Sequence, residues 1–396
     1  MKTTLFTIIL ILNFNYSYSQ TAEAPYRIFG EISTVENHTY RGFISWGEMK
    51  NYWIDFFEAS KTKNDYAHYF KAGDDIFFYQ DDRTFAKPPV HLFVCRFGDL
   101  RTIRLTGENE IELELKNGQK LPLTKGNLSD INTPLQITTT QDTVRQKWER
   151  ISEIRFMPAD NNLSAPEINQ VAGIVTSPQG IYKGLITWNC NRKRNAEKNT
   201  MINTVLSKMD RVIRNKNIYQ VLPREKTFHN PVGIKTDILY PVENVMVNMP
   251  GVGSVIIPPV QFQELKIIPV QDLRLLSYND FKTPQKIEGE VCTRSDEKVY
   301  GNFAYDLDES LDIEVLDGKN DNISYRIPFQ YIRSIEPKNY KYSYITLHNG
   351  SSLSLGDAPD VNRENSGIIV FGNYEIPTYI LWSEVKMIYI NAPAGK

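Results

Sequence analysis

The nine residues "IYKGLITWN" beginning at Ile181 have a close copy, "TYRGFISWG", at Thr39 and a looser one, "VYGNFAYDL", at Val299. A segment written three times constrains the chain to build similar local structure three times over. A short alternating run precedes each copy: "FGEIST" from Phe29, "VAGIVT" from Val171 and "IEGEVCT" from Ile287. Run, polar turn and second run predict a β-hairpin at each place. In this alignment Gly42 and Gly184 are matched by Asn302. Gly and Asn best tolerate positive φ, so a bulge or kink is expected in the second strand of each hairpin.

A second pattern recurs five times: an aromatic residue, an aliphatic three residues on, and an Ile three after that. The instances are Phe97–Leu100–Ile103, Trp148–Ile151–Ile154, Phe262–Leu265–Ile268, Phe329–Ile332–Ile335 and Trp382–Val385–Ile388. Spacing of three is the period of a 3₁₀ turn, which would lead into a strand. Asn117–Gly118 and Asn349–Gly350 stand between alternating runs, the strongest short hairpin signal. Three divergent repeat units follow: 25–158, 166–276 and 284–391. The order of strand pairs, 3₁₀ turn and last strand resembles the SH3-like and Sm-like small β-barrels, and "YITLHNGSSLSL" from Tyr344 carries that resemblance most closely. It implies a mainly β fold, with two small barrels in each outer unit and one in the middle unit. A barrel of ~60 residues buries too little surface to be stable alone, so the barrels are expected to pack on one another.

The middle unit departs from the β pattern. Met201, Ile202, Val205, Leu206, Met209, Val212 and Ile213 follow a helical face, which predicts one amphipathic helix inserted over about 199–214. From Asn191 to Lys216 eight Lys or Arg stand against two Asp or Glu. Arg192, Lys193 and Arg194 are therefore candidates for a partner surface. Tyr340, Tyr342 and Tyr344 are others, because alternate residues of one strand share a face and three rings there would form a stacking platform.

Residues 1–19 have the grammar of a signal peptide: Lys2, an apolar run to about Phe14, then Ser17 and Ser19. Export to the periplasm or beyond is expected, with no membrane anchor in the mature chain. Net charge is −2 over 396 residues, which gives no field for nucleic acid. Cys95, Cys190 and Cys292 are too few and too scattered for a disulfide framework, so free buried thiols are expected.

Chemistry is sparse. The five histidines lie apart from one another and from cysteine pairs, and Gly251-x-Gly253 lacks the strand-to-helix setting of a phosphate loop, so neither metal nor cofactor is expected. Carboxylates gather in Asp74, Asp75, Asp81 and Asp82, and in Asp306, Asp308, Glu309 and Asp312. The second group reads as a hairpin turn. The loop from Asp357 to Gly367 offers oxygen ligands, yet Asx capping of a turn accounts for it. The reading is an exported, non-catalytic binding or scaffolding protein of a bacterial cell envelope, working through an envelope protein or glycan. An envelope glycan-binding protein or glycoside hydrolase is the alternative.

Overall fold

The structure, a computed structural model, describes residues 23–47, 49–66, 92–127, 129–160, 163–168, 170–188, 212–214, 244–372 and 376–391. The expected signal peptide, Cys190, Arg192, Lys193, Arg194, the carboxylates Asp74 to Asp82 and most of the expected helix lie outside these residues.

Among these described residues the fold is mainly β, in two antiparallel sheets. The smaller has ten strands, in the spatial order Leu92–Arg96, Phe56–Lys61, Lys120–Thr124, Glu110–Leu115, Leu100–Leu105, Ile151–Phe156, Phe29–Thr34, Thr39–Trp46, Leu135–Thr138, Thr143–Gln146. The larger has sixteen. Six come first: Val212–Arg214, Glu264–Ile268, Val171–Ser177, Gly180–Trp188, Val245–Met249 and Gly253–Ile257. The remaining ten are Ile323–Pro328, Val315–Asn320, Ser352–Gly356, Tyr342–Leu347, Ile332–Pro337, Val385–Ile390, Glu288–Thr293, Lys298–Tyr305, Ile368–Phe371 and Thr378–Ile380. Those ten follow one another in the same chain order as the ten strands of the smaller sheet.

Among the described residues neither sheet closes, which corrects the expectation of small closed barrels. A strand has only two edges. Ile151–Phe156 spends one on Phe29–Thr34 and the other on Leu100–Leu105, so two would-be barrels share a continuous ladder. Gly253–Ile257 likewise pairs with Ile323–Pro328 and joins the middle of the chain to its C-terminal part. The expected helix is corrected at its end: Val212–Arg214 is a strand, with Ile213 opposite Leu265. Two β-branched residues favour the extended strand.

Local signals fare better. A 3₁₀ turn starts at Phe97, Trp148, Phe329 and Trp382, and each leads straight into a strand. At the fifth place the turn is Pro259–Gln261, ahead of Phe262, because Pro259 presets φ for the turn's start. Gly118 and Gly350 adopt φ of 83° and 89° in their hairpin turns. The hairpin glycines need a different explanation from the expected one. None of Gly42, Gly184, Gly301 or Asn302 is left-handed. Gly42 faces Gly30, Gly184 faces Gly173 and Gly301 faces Gly289 across their ladders. A Cβ on Gly42, Gly184 or Gly301 would lie 2.2, 2.3 or 2.4 Å from a carbonyl oxygen of the next strand. The glycines permit close backbone approach, and Gly301, not Asn302, is the counterpart.

Hydrogen bonds recur between the N-terminal and C-terminal regions. Gly98 N–H donates to Trp53 O as Gln330 N–H does to Asp312 O. Trp46 N–H donates to Lys50 O as Tyr305 N–H does to Glu309 O. Ile44 N–H donates to Ile28 O as Phe303 N–H does to Ile287 O, and Met157 N–H to Phe29 O as Asn391 N–H does to Glu288 O. Asp130 Oδ2 accepts from Glu58 N–H as Asp360 Oδ2 does from Asp317 N–H.

Two large apolar clusters form the core. The N-terminal one takes in Leu273, Leu275, Tyr278 and Phe281 from the far end of the middle region. Tyr278 O–H donates to Leu100 O, and Lys116 holds the Tyr278 and Phe281 carbonyls. A buried polar junction ties the regions further: Lys61 pairs with Asp308 and Glu314 at 2.8 and 2.6 Å, and Arg326 with Glu58 at 3.2 Å. Cys95 and Cys292 are buried and free.

Candidate functional site

The strand Tyr342–Leu347 buries Ser343, Ile345 and Leu347 and turns Tyr342 and Tyr344 outward. Tyr340 precedes the strand and is 60% exposed. Asn339 Oδ1 accepts from the Lys341 and Tyr342 amides, an Asx turn that holds Tyr340 at the strand's mouth. The Tyr342 and Tyr344 ring centroids are 5.8 Å apart at an interplanar angle of 55°. Lys338 lies 4.8 Å from the Tyr344 ring, and Lys341 and Arg363 lie 5.5 and 5.9 Å from that of Tyr340. Tyr342 and Tyr344 therefore share one face of the strand, Tyr340 stands exposed in the turn before it, and cations attend the Tyr340 and Tyr344 rings.

The register adds two rings that sequence reading missed. Tyr300 lies opposite Glu290, Glu290 opposite Tyr389, and Tyr389 opposite Ser334. Tyr344 lies opposite Glu336, two residues on from Ser334 on the same side. Tyr300 and Tyr389 are 55% and 45% exposed, so large rings of one face stand in solvent across five strands. Period-two alternation at the end of "VKMIYI" was the available signal: Ile388 and Ile390 are buried, and Tyr389 between them points away. Glu290 pairs with Lys298 at 3.0 Å, which lowers its carboxyl pKa. Tyr300 O–H donates to Glu288 at 2.8 Å, which raises its phenol pKa.

The matching face of the N-terminal region is built otherwise. There the row Tyr300–Glu290–Tyr389 reads Arg41–Glu31–Arg155. Arg104 bridges Glu112 and Glu153 at 3.3 and 3.0 Å, Lys120 joins Glu112 at 2.9 Å, and Arg41 meets Asp160 at 3.1 Å. Charges there answer one another.

The carboxylates Asp306, Asp308 and Glu309 form a tight turn. Asp306 and Leu307 are left-handed, and Tyr305 bridges Glu309. Asp306 Oδ1 accepts from Ser366 N–H, and Asp308 pairs with Lys61. Burial pushes the Glu309 and Asp360 carboxyls well up, and neighbouring carboxylates add to it. In the loop after Asp357, Asn362 caps Glu364 N–H and Asn365 caps Gly367 N–H, as Asx turns. Among the described residues no group of three or more His, Cys, Asp or Glu is arranged to hold a metal ion. Comparison with protein-family models, with curated proteins and with solved structures finds no match to this chain.

Proposed function

We propose that this chain is a non-catalytic binding or scaffolding protein, exported to the cell envelope of a bacterium. Its partner is a protein that docks on the tyrosine face of the C-terminal sheet. The observation that carries this is the exposure of Tyr300, Tyr340, Tyr344 and Tyr389, with Tyr342 half-buried beside them. Tyrosine supplies contact area and a hydroxyl at little entropic cost, and interfaces are enriched in it. The carboxylates found together support a non-catalytic reading, since they cap backbone amides or pair with Lys61. Shared strand order and recurring hydrogen bonds support divergent repeat units over 25–158, 166–276 and 284–391, each SH3-like in descent though open in form. Divergence between units frees one face for docking while another stays a solvated scaffold. Arg192, Lys193 and Arg194 are proposed as a second contact.

The test is crosslinked capture from the native envelope with wild type, with Tyr300→Ser/Tyr344→Ser/Tyr389→Ser, and with the three basic residues neutralised. A stoichiometric protein held by wild type and lost by the tyrosine variant, at unchanged melting temperature, is expected. Equal capture by both removes the tyrosine face from the binding surface. Recovery of a glycan in place of a protein favours the second reading, an envelope glycan-binding protein whose sugars stack on these rings.

A further inference from the structure

Two matching ends of the outer regions differ in how they are filled. In the N-terminal region Phe29, Phe43, Trp53, Gly98 and Met157 occupy five matched positions. Phe29 and Phe43 pack edge to face at 5.2 Å, and Trp53 lies 4.7 Å from Tyr278. A Cβ on Gly98 would stand 2.3 Å from the Phe281 ring. The space is filled and lidded by the chain's own aromatic residues.

At the same five positions the C-terminal region has Glu288, Asn302, Asp312, Gln330 and Asn391. All five line an open cleft of about 740 Å³, floored by Ile287 and Ile390. Five positions that are apolar or glycine at one end are hydrogen-bonding residues at the other, and where one end is a packed core the other is a polar hollow. A cavity of this size lies within the ~300–1,000 Å³ of small-molecule sites. Asp312 is more than nine-tenths buried, with Oδ1 fixed by the Gln285 amide at 2.9 Å. Burial holds its carboxyl up at about 6. Tyr300 stands at the mouth, where Asn391 Nδ2 donates to its hydroxyl at 2.7 Å and that hydroxyl donates to Glu288.

The lining selects a ligand class. Asn302, Gln330 and Asn391 each offer both a donor and an acceptor, and Glu288 and Asp312 offer acceptors. Hydroxyl groups, which donate and accept at once, satisfy such a wall. Lys282 and Lys286 also line the cleft and offset Glu288 and Asp312, so the lining has no excess of either sign to select an ion, and an apolar ligand strands the amides without partners. An extended peptide has no free ladder here, because Glu288–Thr293 and Lys298–Tyr305 are each paired on both sides. We infer that this cleft is a binding site for a saccharide unit, with Asp312, Asn302, Gln330 and Asn391 holding ring hydroxyls and Tyr300 at the rim. The cleft shares only Tyr300 with the tyrosine face and does not depend on a protein partner there.

The experiment is saturation-transfer NMR and calorimetry on the full chain with neutral di- and trisaccharides of glucose, galactose, mannose and N-acetylglucosamine. The variants are Gln330→Ala and Asn302→Phe, the latter copying the N-terminal residue. Transfer from at least one saccharide is expected, with affinity weakened about tenfold or more in both variants and kept in Tyr344→Ser. Circular dichroism checks that Asn302→Phe folds; Gln330→Ala, a half-exposed position, serves if it does not. The proposal is overturned if no saccharide of the panel binds wild type, or if both variants bind as wild type does. Either result leaves protein capture by the tyrosine face untouched, so the two readings fail independently.

Discussion

Lys50 and Glu309 stand at the same point of two similar turns, and their surroundings are opposite in charge logic. Lys50 Nζ reaches Asp130 Oδ2 and Phe56 O at 2.6 Å each, so a buried carboxylate meets a cation. The Glu309 carboxyl is driven up first by burial and then by Asp308, Asp360 and Asp306, which outweigh the nearby Lys61. Trp53 and Asp312 repeat the contrast between filled and open, and Arg155 and Tyr389 repeat it between paired and exposed. Backbone amides carry what is common to the two regions, and side chains at matched positions carry what differs. A frame held by main-chain bonds tolerates exchange of almost any side chain that does not plug its core.

That comparison can be broken, and the largest effect should come from the filled end. Trp53→Ala is expected to cost about 3–5 kcal/mol, a large aromatic removed from a fully buried site. Asp312→Ala should cost about 1 kcal/mol, mainly the stranded Gln285 amide. Equal losses in chemical denaturation would erase the difference between the two ends.

Next in size is Gly289→Ala, where a Cβ would lie 1.9 Å from Tyr389 O and the backbone must yield. A loss of about 1–3 kcal/mol is expected. Asn302→Ala should be nearly silent in stability if Gly301, not Asn302, is the glycine of close approach. Denaturant midpoints of both variants decide the alignment.

Glu309→Lys copies Lys50 into the acidic turn. In wild type the raised Glu309 and Asp360 carboxyls keep protons that the unfolded chain releases above its ordinary range near pH 4. Their contribution is therefore present at low pH and is lost as pH rises toward the raised values. The slope is up to about 1.4 kcal/mol per pH unit for each proton held. Denaturation at pH 5 and 7.5 should show wild type losing stability with rising pH and the variant losing less; parallel curves would refute the assignment. Arg104→Ala on the paired outer face should change stability least, with any loss vanishing in 1 M salt. A large, salt-insensitive loss would show that this face is more than a solvated surface.

Local features were legible because their causes are local. Asn117–Gly118 demands left-handed backbone, and an aromatic three residues ahead of an aliphatic fits one turn of 3₁₀ geometry wherever it stands. The one-residue slip at Gly301 shows the limit. It hid Tyr300 as the partner of Arg41, because a shift of one residue exchanges the two faces of a strand. Tyr340, Tyr342 and Tyr344 were found because they alternate within seven residues of chain. Tyr389 and the cleft were missed because their neighbours arrive from separate strands.

By itself the sequence determined the β character, the recurring hairpins, the Asn-Gly turns and the tyrosine strip, since each rests on the conformational preferences of a few adjacent residues. Tertiary structure alone decided that the sheets stay open, that glycines serve close approach and that of two matched ends one is packed and the other hollow. Those outcomes depend on which strand edge meets which, and edge pairing is settled between residues far apart in the chain, after every local preference has been met.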